Sequence, residues 1–185
     1  FLPMCYNTNT FYEEAGPCMS FSFLPGWITP KLTDLTPEFL HQQGIKLLML
    51  DFDNTIVPYT TNVPAPEMER WLNQMLQSDI RICVVSNSKH GRVQAFCRQY
   101  GMDCITHARK PFPRGIRQCL RRYDMTGAEA AMVGDQIFTD TLGANCAGVT
   151  SVLVKAIDNH NIWLKLRHVA EMPFILLAKN RRITK

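Results

Sequence analysis

Two carboxylates stand one residue apart in the stretch LLMLDFDNTIVPY, residues 47–59: Asp51 and Asp53. Four apolar residues lead straight into them, so both acids sit where desolvating a charge is expensive. Side chains alternate along a strand, so the pair shares one side if the chain stays extended. Clustered carboxylates repel, and a divalent cation that prefers hard oxygen ligands removes the repulsion; Mg2+ is the expected ion. Mg2+ in turn suits a phosphate substrate. One carboxylate can attack phosphorus and form an aspartyl-phosphate. The other can protonate the leaving oxygen and then deprotonate the water that hydrolyses the intermediate.

Other polar residues close further apolar runs. Ser86 and Asn87 follow RICVV, Lys110 follows the run at 103–106, and Asp135 follows AAMVG, with Asp140 five residues on. Ser86 and nearby backbone N–H groups can hold a phosphoryl oxygen, and Lys110 can offset the charge that develops on it. Asp135 completes a metal shell. Each residue alone has a plainer reading. An Asp at a strand end is usually a turn or cap, Ser86-Asn87 a loop cap, and Lys110 before a proline an exposed side chain. Four strand ends in order carry the argument that no single one can.

The elements that must position them are legible. IKLLML (45–50), IRICVV (80–85), DCIT (103–106), AAMVG (130–134) and VTSVLV (149–154) predict about five strands; continuous apolar runs of this kind suit a parallel sheet buried on both faces. Met68, Trp71, Leu72, Met75 and Leu76 have helical spacing after Pro66, as do Val93, Phe96, Cys97 and Tyr100 before Gly101, and Ile116, Cys119, Leu120 and Tyr123 after Pro113. Strands alternating with helices predict an α/β, doubly wound (Rossmann-like) sheet, whose chemistry collects beyond the C-terminal strand ends. A last helix over roughly 160–180, with Ile162, Trp163, Leu166, Val169 and Ala170 on its apolar face, is expected to be kinked or split by Pro173.

In this order, DFDNT, VVSNS, ARKP and VGDQIFTD resemble the four motifs of the haloacid dehalogenase (HAD) superfamily phosphatases. The likeness covers about residues 23–157. It implies Asp51 as nucleophile and Asp53 as general acid/base, with Thr55 supporting the Asp53 loop. Ser86, with Asn87 and Thr55 beside it, would bind phosphate, and Lys110 would stabilise the phosphoryl group. Asp51, the Asp53 backbone carbonyl and Asp135 would ligate Mg2+, with Asp140 supporting the metal or Lys110. FLPGWITPKLTDLTPEFLHQQGIKLLMLDFDNT and GDQIFTDTLGANCAG are further similar to the YqeG-type phosphatases, HAD subfamily IIIA. Their relatives include phosphatidylglycerophosphate phosphatases. Phe52, Ile56 and Ser88 depart mildly from that pattern.

Asp53 to Ser86 is 33 residues and Ser86 to Lys110 is 24, each consumed by one helix and one strand. Neither gap holds the cap domain with which such enzymes select small substrates, so the site is expected to be open, with 56–66 as a small flap. That favours a phosphate on something large. The YqeG-type resemblance makes phosphatidylglycerophosphate the expected substrate; soluble, protein or nucleic-acid phosphates are the alternatives, and a neighbour in an oligomer could close the site over small ones. Arg114, Arg117 and Arg121 on one helix face are either an anion-binding surface or a solvated face.

Net charge is +4, and the excess lies in the tail: from Lys155 on there are seven Lys/Arg against two Asp/Glu. A basic tail suits an anionic membrane surface or RNA as well as a solvated, frayed helix. A ribosome- or RNA-binding module is the reading from another class, but a pure binder has no use for both Asp51 and Asp53, and a nucleic-acid partner is not expected. A response-regulator receiver would carry its phosphoacceptor after the third strand, where no Asp stands. The seven cysteines include no Cys-x-x-Cys pair and suit free thiols in a reducing cytosol. No run reaches the roughly 18 apolar residues of a membrane span, so the expectation is a cytoplasmic protein, peripheral at a membrane if lipid is the substrate. Residues 1–22 have no clear period and no signal-peptide pattern, and are expected to be a weakly ordered extension of a single domain, 23–185.

Overall fold

The computed structural model describes residues 21–89, 91–158 and 162–183, with side chains of 162–168 and 179 outside the description. The expected extension therefore falls almost wholly outside the described residues. Five predicted strands are present: β2 (Leu47–Leu50), β3 (Arg81–Val85), β4 (Asp103–Ile105), β5 (Ala130–Gly134) and β6 (Thr150–Val154). A sixth, β1 (Trp27–Thr29), pairs with β6. It escaped the pattern because three residues between Pro25-Gly26 and Pro30 are too few to show a period. The sheet is wholly parallel in the order β1-β6-β5-β2-β3-β4.

Chain order reverses at β2, which lies between β3 and β5. A doubly wound sheet opens a crevice at such a switch point, beyond the strand C-termini. Asp51 is the first residue past β2, and its N–H donates to the Val133 carbonyl of β5 at 2.8 Å.

Both faces of the sheet are buried, by alternation along each strand. Leu48, Leu50, Ile82 and Val84 pack with Trp71, Leu72 and Met75 of α2 (Pro66–Gln77) and Val93 and Phe96 of α3 (Gly91–Tyr100). Leu47, Met49, Cys83, Val85 and Met132 pack oppositely on Ile116 and Cys119 of α4 (Arg114–Tyr123) and Ala144 of α5 (Leu142–Ala147). A short helix, α1 (Pro37–Gln42), precedes β2, capped by the Thr36 hydroxyl, which accepts the Phe39 N–H. Between β2 and β3 the chain has room only for a loop and α2, and between β3 and β4 only for α3, so neither gap holds a cap. The five described cysteines are free thiols.

The last helix, Ile162–Leu177, runs through Pro173 and is not split there. Among its described side chains Glu171 is buried and Phe174 half-buried, with Ala178 buried just past its end; Val169 and Ala170, expected on the packed face, are exposed, and Ile162, Trp163 and Leu166 lie outside the described side chains. Phe174 meets Phe23 and Phe138 at 5.1 and 6.1 Å between ring centroids. Beyond it the chain bridges the edge strand, the Ile183 N–H donating to Ile28 and Arg181 to the Pro25 carbonyl. Among the described residues, the end of the basic tail is therefore docked on the edge strand at Arg181–Ile183. No helix among the described residues is long and apolar enough to cross a membrane.

Candidate active site

A cavity of about 130 Å3 opens at the switch point, lined by Asp51, Asp53, Ser86, Asn87, Lys110 and, unforeseen from the sequence, Tyr59, Ser88, Gln136 and Thr139. Asp135 and Asp140 do not line it but cluster with Asp51 beside it, and Thr55 stands away from both. Thr55 is buried but lines a neighbouring cavity behind the flap, and its hydroxyl has no hydrogen-bond partner among the described residues.

At the floor Lys110 is buried between two acids, its Nζ 2.6 Å from Asp51 Oδ1 and 2.6 Å from Asp140 Oδ1. Burial alone would lower the lysine pKa, but Asp140 and Asp51 outweigh it and hold the ammonium above the ordinary lysine range. Burial pushes the Asp51 carboxyl up to about 7; the Lys110 charge opposes the rise and the Asp140 charge adds to it.

The local chain explains this placement. Asn87 grips the Lys110 backbone in both directions, Nδ2 donating to its carbonyl at 2.9 Å and Oδ1 accepting its N–H at 2.7 Å. The Ser86 hydroxyl accepts the Ser88 N–H, which turns the chain out of β3. Asp140 lies in a π-helical turn, Ile137–Thr141, where its carboxylate accepts the Gln136 N–H. A buried Glu171 carboxylate from the last helix accepts the Ile137 N–H at 2.9 Å. Gly134 is required beneath: a Cβ there would fall on the Asp140 carboxylate.

One carboxylate oxygen from each of Asp51, Asp135 and Asp140 lies within 4.8 Å of the other two, and all three residues are buried. Two of these acids share the Lys110 ammonium and Asp135 adds a third carboxylate, an excess of acid in the cluster. An all-oxygen donor set with that excess fits a hard divalent cation. The Asp53 side chain stands apart from this cluster, so only its backbone carbonyl could serve as the resemblance implies.

Asp53 and its loop are held differently. Asn54 takes a φ of 65°, a left-handed conformation asparagine tolerates. Its amide donates to the Asp158 carbonyl and accepts the Asp158 N–H, tying the loop to the segment after β6. Asp53 Oδ1 is 3.2 Å from Arg92 Nη1, an ion pair not aligned as a hydrogen bond. Arg92 also grips the flap and was missed in the sequence, because most of its partners are backbone carbonyls, which leave no trace in residue types. Of the arginines on α4, Arg114 and Arg121 are exposed, whereas Arg117 donates to the Cys146 carbonyl.

The family described as haloacid dehalogenase-like hydrolase matches residues 30–148. The chain is 31% identical over 132 residues to the probable phosphatase YqeG of Bacillus subtilis (strain 168), a match covering 71% of this chain and 77% of that one. Among solved structures it is similar to an uncharacterized protein from Listeria monocytogenes serotype 4b, with a TM-score of 0.50, 18% identity, and coverage of 74% of this chain and 99% of that chain. It is also similar to a 3-deoxy-D-manno-octulosonate 8-phosphate phosphatase from Yersinia pestis, with a TM-score of 0.50, 15% identity, and coverage of 78% and 88%. At those identities the two structures bear on the fold alone.

Proposed function

We propose, from the premise that the chain belongs to the haloacid dehalogenase-like hydrolase family and is a phosphatase, that it cleaves phosphomonoesters through an aspartyl-phosphate on Asp51, with Mg2+, and that its substrate is a phosphorylated lipid, phosphatidylglycerophosphate. An Asp51 oxygen attacks phosphorus as the bond to the leaving oxygen breaks, and Asp53 gives that oxygen its proton. Water then attacks the same phosphorus while Asp53 takes its proton, and inorganic phosphate leaves as Asp51 is regenerated. Lys110 keeps the Asp51 carboxylate in place and stabilises the negative charge around it. Ser86 and Asn87, which line the cavity, would take the phosphoryl oxygens. Asp51 and Asp135 would hold the cation with the Asp53 backbone carbonyl, and Asp140 would serve Lys110. A bound Mg2+ would neutralise the clustered acids and draw charge from the phosphoryl oxygens.

The observation that carries the substrate reading is the size of the cavity, about 130 Å3, together with the absence of a cap over it among the described residues. The cavity has room for a phosphoryl group and little more, so whatever bears the phosphate lies outside. The site thus demands nothing of the rest of the molecule, which suits a headgroup presented at a surface; the choice of lipid comes from the YqeG-type resemblance.

Two measurements test this. Asp51→Asn should lower Mg2+-dependent turnover of 4-nitrophenyl phosphate at least about 1000-fold, since it removes the nucleophile; undiminished turnover would remove Asp51 from its role. Turnover on phosphatidylglycerophosphate vesicles should exceed that on soluble sugar phosphates, and a clear preference for the sugars would rule the lipid out.

A further inference from the structure

We infer that Arg92 is a positioning residue that locks the flap and the Asp53 carboxylate into one unit, so that proton transfer to the leaving group depends on it. This rests on the role given to Asp53 above. Arg92 stands in the first turn of α3, six residues past Ser86, and does not line the cavity. Its guanidinium is a fork with several partners. Nη1 donates to the Tyr59 carbonyl at 3.0 Å, and Nη2 donates to Pro58 at 3.2 Å and Thr61 at 2.9 Å. Nη1 also pairs with Asp53. The guanidinium carbon lies 5.1 Å from the centroid of the Phe52 ring, within cation–π range.

Three carbonyls within four residues of the flap are thus held by the group that faces the acid. A planar, always charged guanidinium can do this, and an ammonium cannot. The flap carries Tyr59 and Asp53 faces the same cavity, so one side chain fixes both the rim and the proton donor. The Asp53 contact is an ion pair in which Oδ1 makes no hydrogen bond to Arg92, and Asp53 lines the cavity.

The step at stake is transfer of the Asp53 proton to the leaving oxygen as the P–O bond breaks. An aryl oxide leaves readily without that proton, whereas an alkoxide does not. Arg92→Lys and Arg92→Gln are therefore compared with wild type and Asp53→Asn on 4-nitrophenyl phosphate and a simple alkyl phosphate, with Mg2+ present and kcat and KM separated. Loss of acid assistance is worth about 100-fold or more. Arg92→Lys should lower kcat on the alkyl ester about tenfold more than on the aryl ester, and Arg92→Gln by more still. The ratio of the two losses within one preparation does not depend on how much protein is folded, so partial misfolding cannot mask the outcome. Equal losses on both esters, or none, while Asp53→Asn does discriminate, would overturn the role of Arg92. If Asp53→Asn itself fails to discriminate, the assignment of Asp53 falls instead.

Discussion

The floor of the site and its flap are held by opposite means. On the floor, Asp51, Asp135, Asp140 and Lys110 are buried at the ends of core strands and loops. Backbone bonds and a glycine without room for a methyl fix their positions. At the flap, a loop of 56–66 with Tyr59 and Val63 exposed is gripped by one arginine side chain that is itself partly exposed. The chemistry that needs dense charge lies where water is excluded and each Coulomb contact is strong. The part that, on the function proposed above, borders the path of a large substrate lies where contacts are few and screened. The fold should therefore depend on the floor, and the flap should matter for turnover alone.

Lys110→Met strikes this comparison hardest. It leaves Asp51 and Asp140 buried without their shared cation, and removing one partner of a buried pair costs about 3–5 kcal/mol. The metal-free protein should show a large drop in melting temperature, partly restored by millimolar Mg2+, and kcat should fall by about 100–1000-fold. Arg92→Lys should leave the melting temperature nearly unchanged. Equal thermal losses in the two variants would erase the distinction between floor and flap.

Gly134→Ala probes the floor without touching a charge. The new methyl would meet the Asp140 carboxylate, so Asp140 must leave Lys110 or the turn at 137–141 must move. Overpacking of this sort costs about 1–3 kcal/mol, and a displacement near 1 Å costs about 100-fold in rate. Thermal melts and kcat on 4-nitrophenyl phosphate measure both. Wild-type values would mean that Asp140 has slack the packing does not suggest.

The same contrast decides what could be read from the sequence. Asp51, Ser86 and Asp135 were legible because each directly follows an apolar run of a parallel sheet, and Lys110 and Asp140 because each stands in the segment just beyond such a run, where order along the chain becomes proximity at one edge. Side chains that act on backbone were not. Arg92 holds carbonyls of the flap, and Glu171, an acid inside an apolar helix, accepts an N–H from a residue 34 positions away. Neither contact leaves a signature in residue types. Thr55 lies in the right motif, yet it faces the cavity behind the flap. Strand β1 was hidden by brevity. Val169 and Ala170 were assigned to the packed face by periodicity, but they are exposed, while Glu171 and Ala178 are buried and Phe174 half-buried.

The smallest effect is expected where the flap joins α2. Lys31 Nζ lies 3.1 Å from Glu67 Oε1, in the first turn of that helix, and the Thr33 hydroxyl donates to the same oxygen. The Lys31 and Thr33 hydrogen bonds hold the Glu67 carboxyl below its ordinary range. On distance alone this pair rivals the Lys110 contacts, but its side chains are 60% and 54% exposed, against 1% and 9% for Lys110 and Asp51. Water already solvates both charges, and ions screen them, so the attraction is largely spent against lost side-chain freedom. Lys31→Ala should leave the melting temperature and kcat indistinguishable from wild type at physiological and at low salt. A clear thermal loss, larger at low salt, would mean that the flap's surface anchors help hold the fold, and that burial is not what separates the two halves of the site.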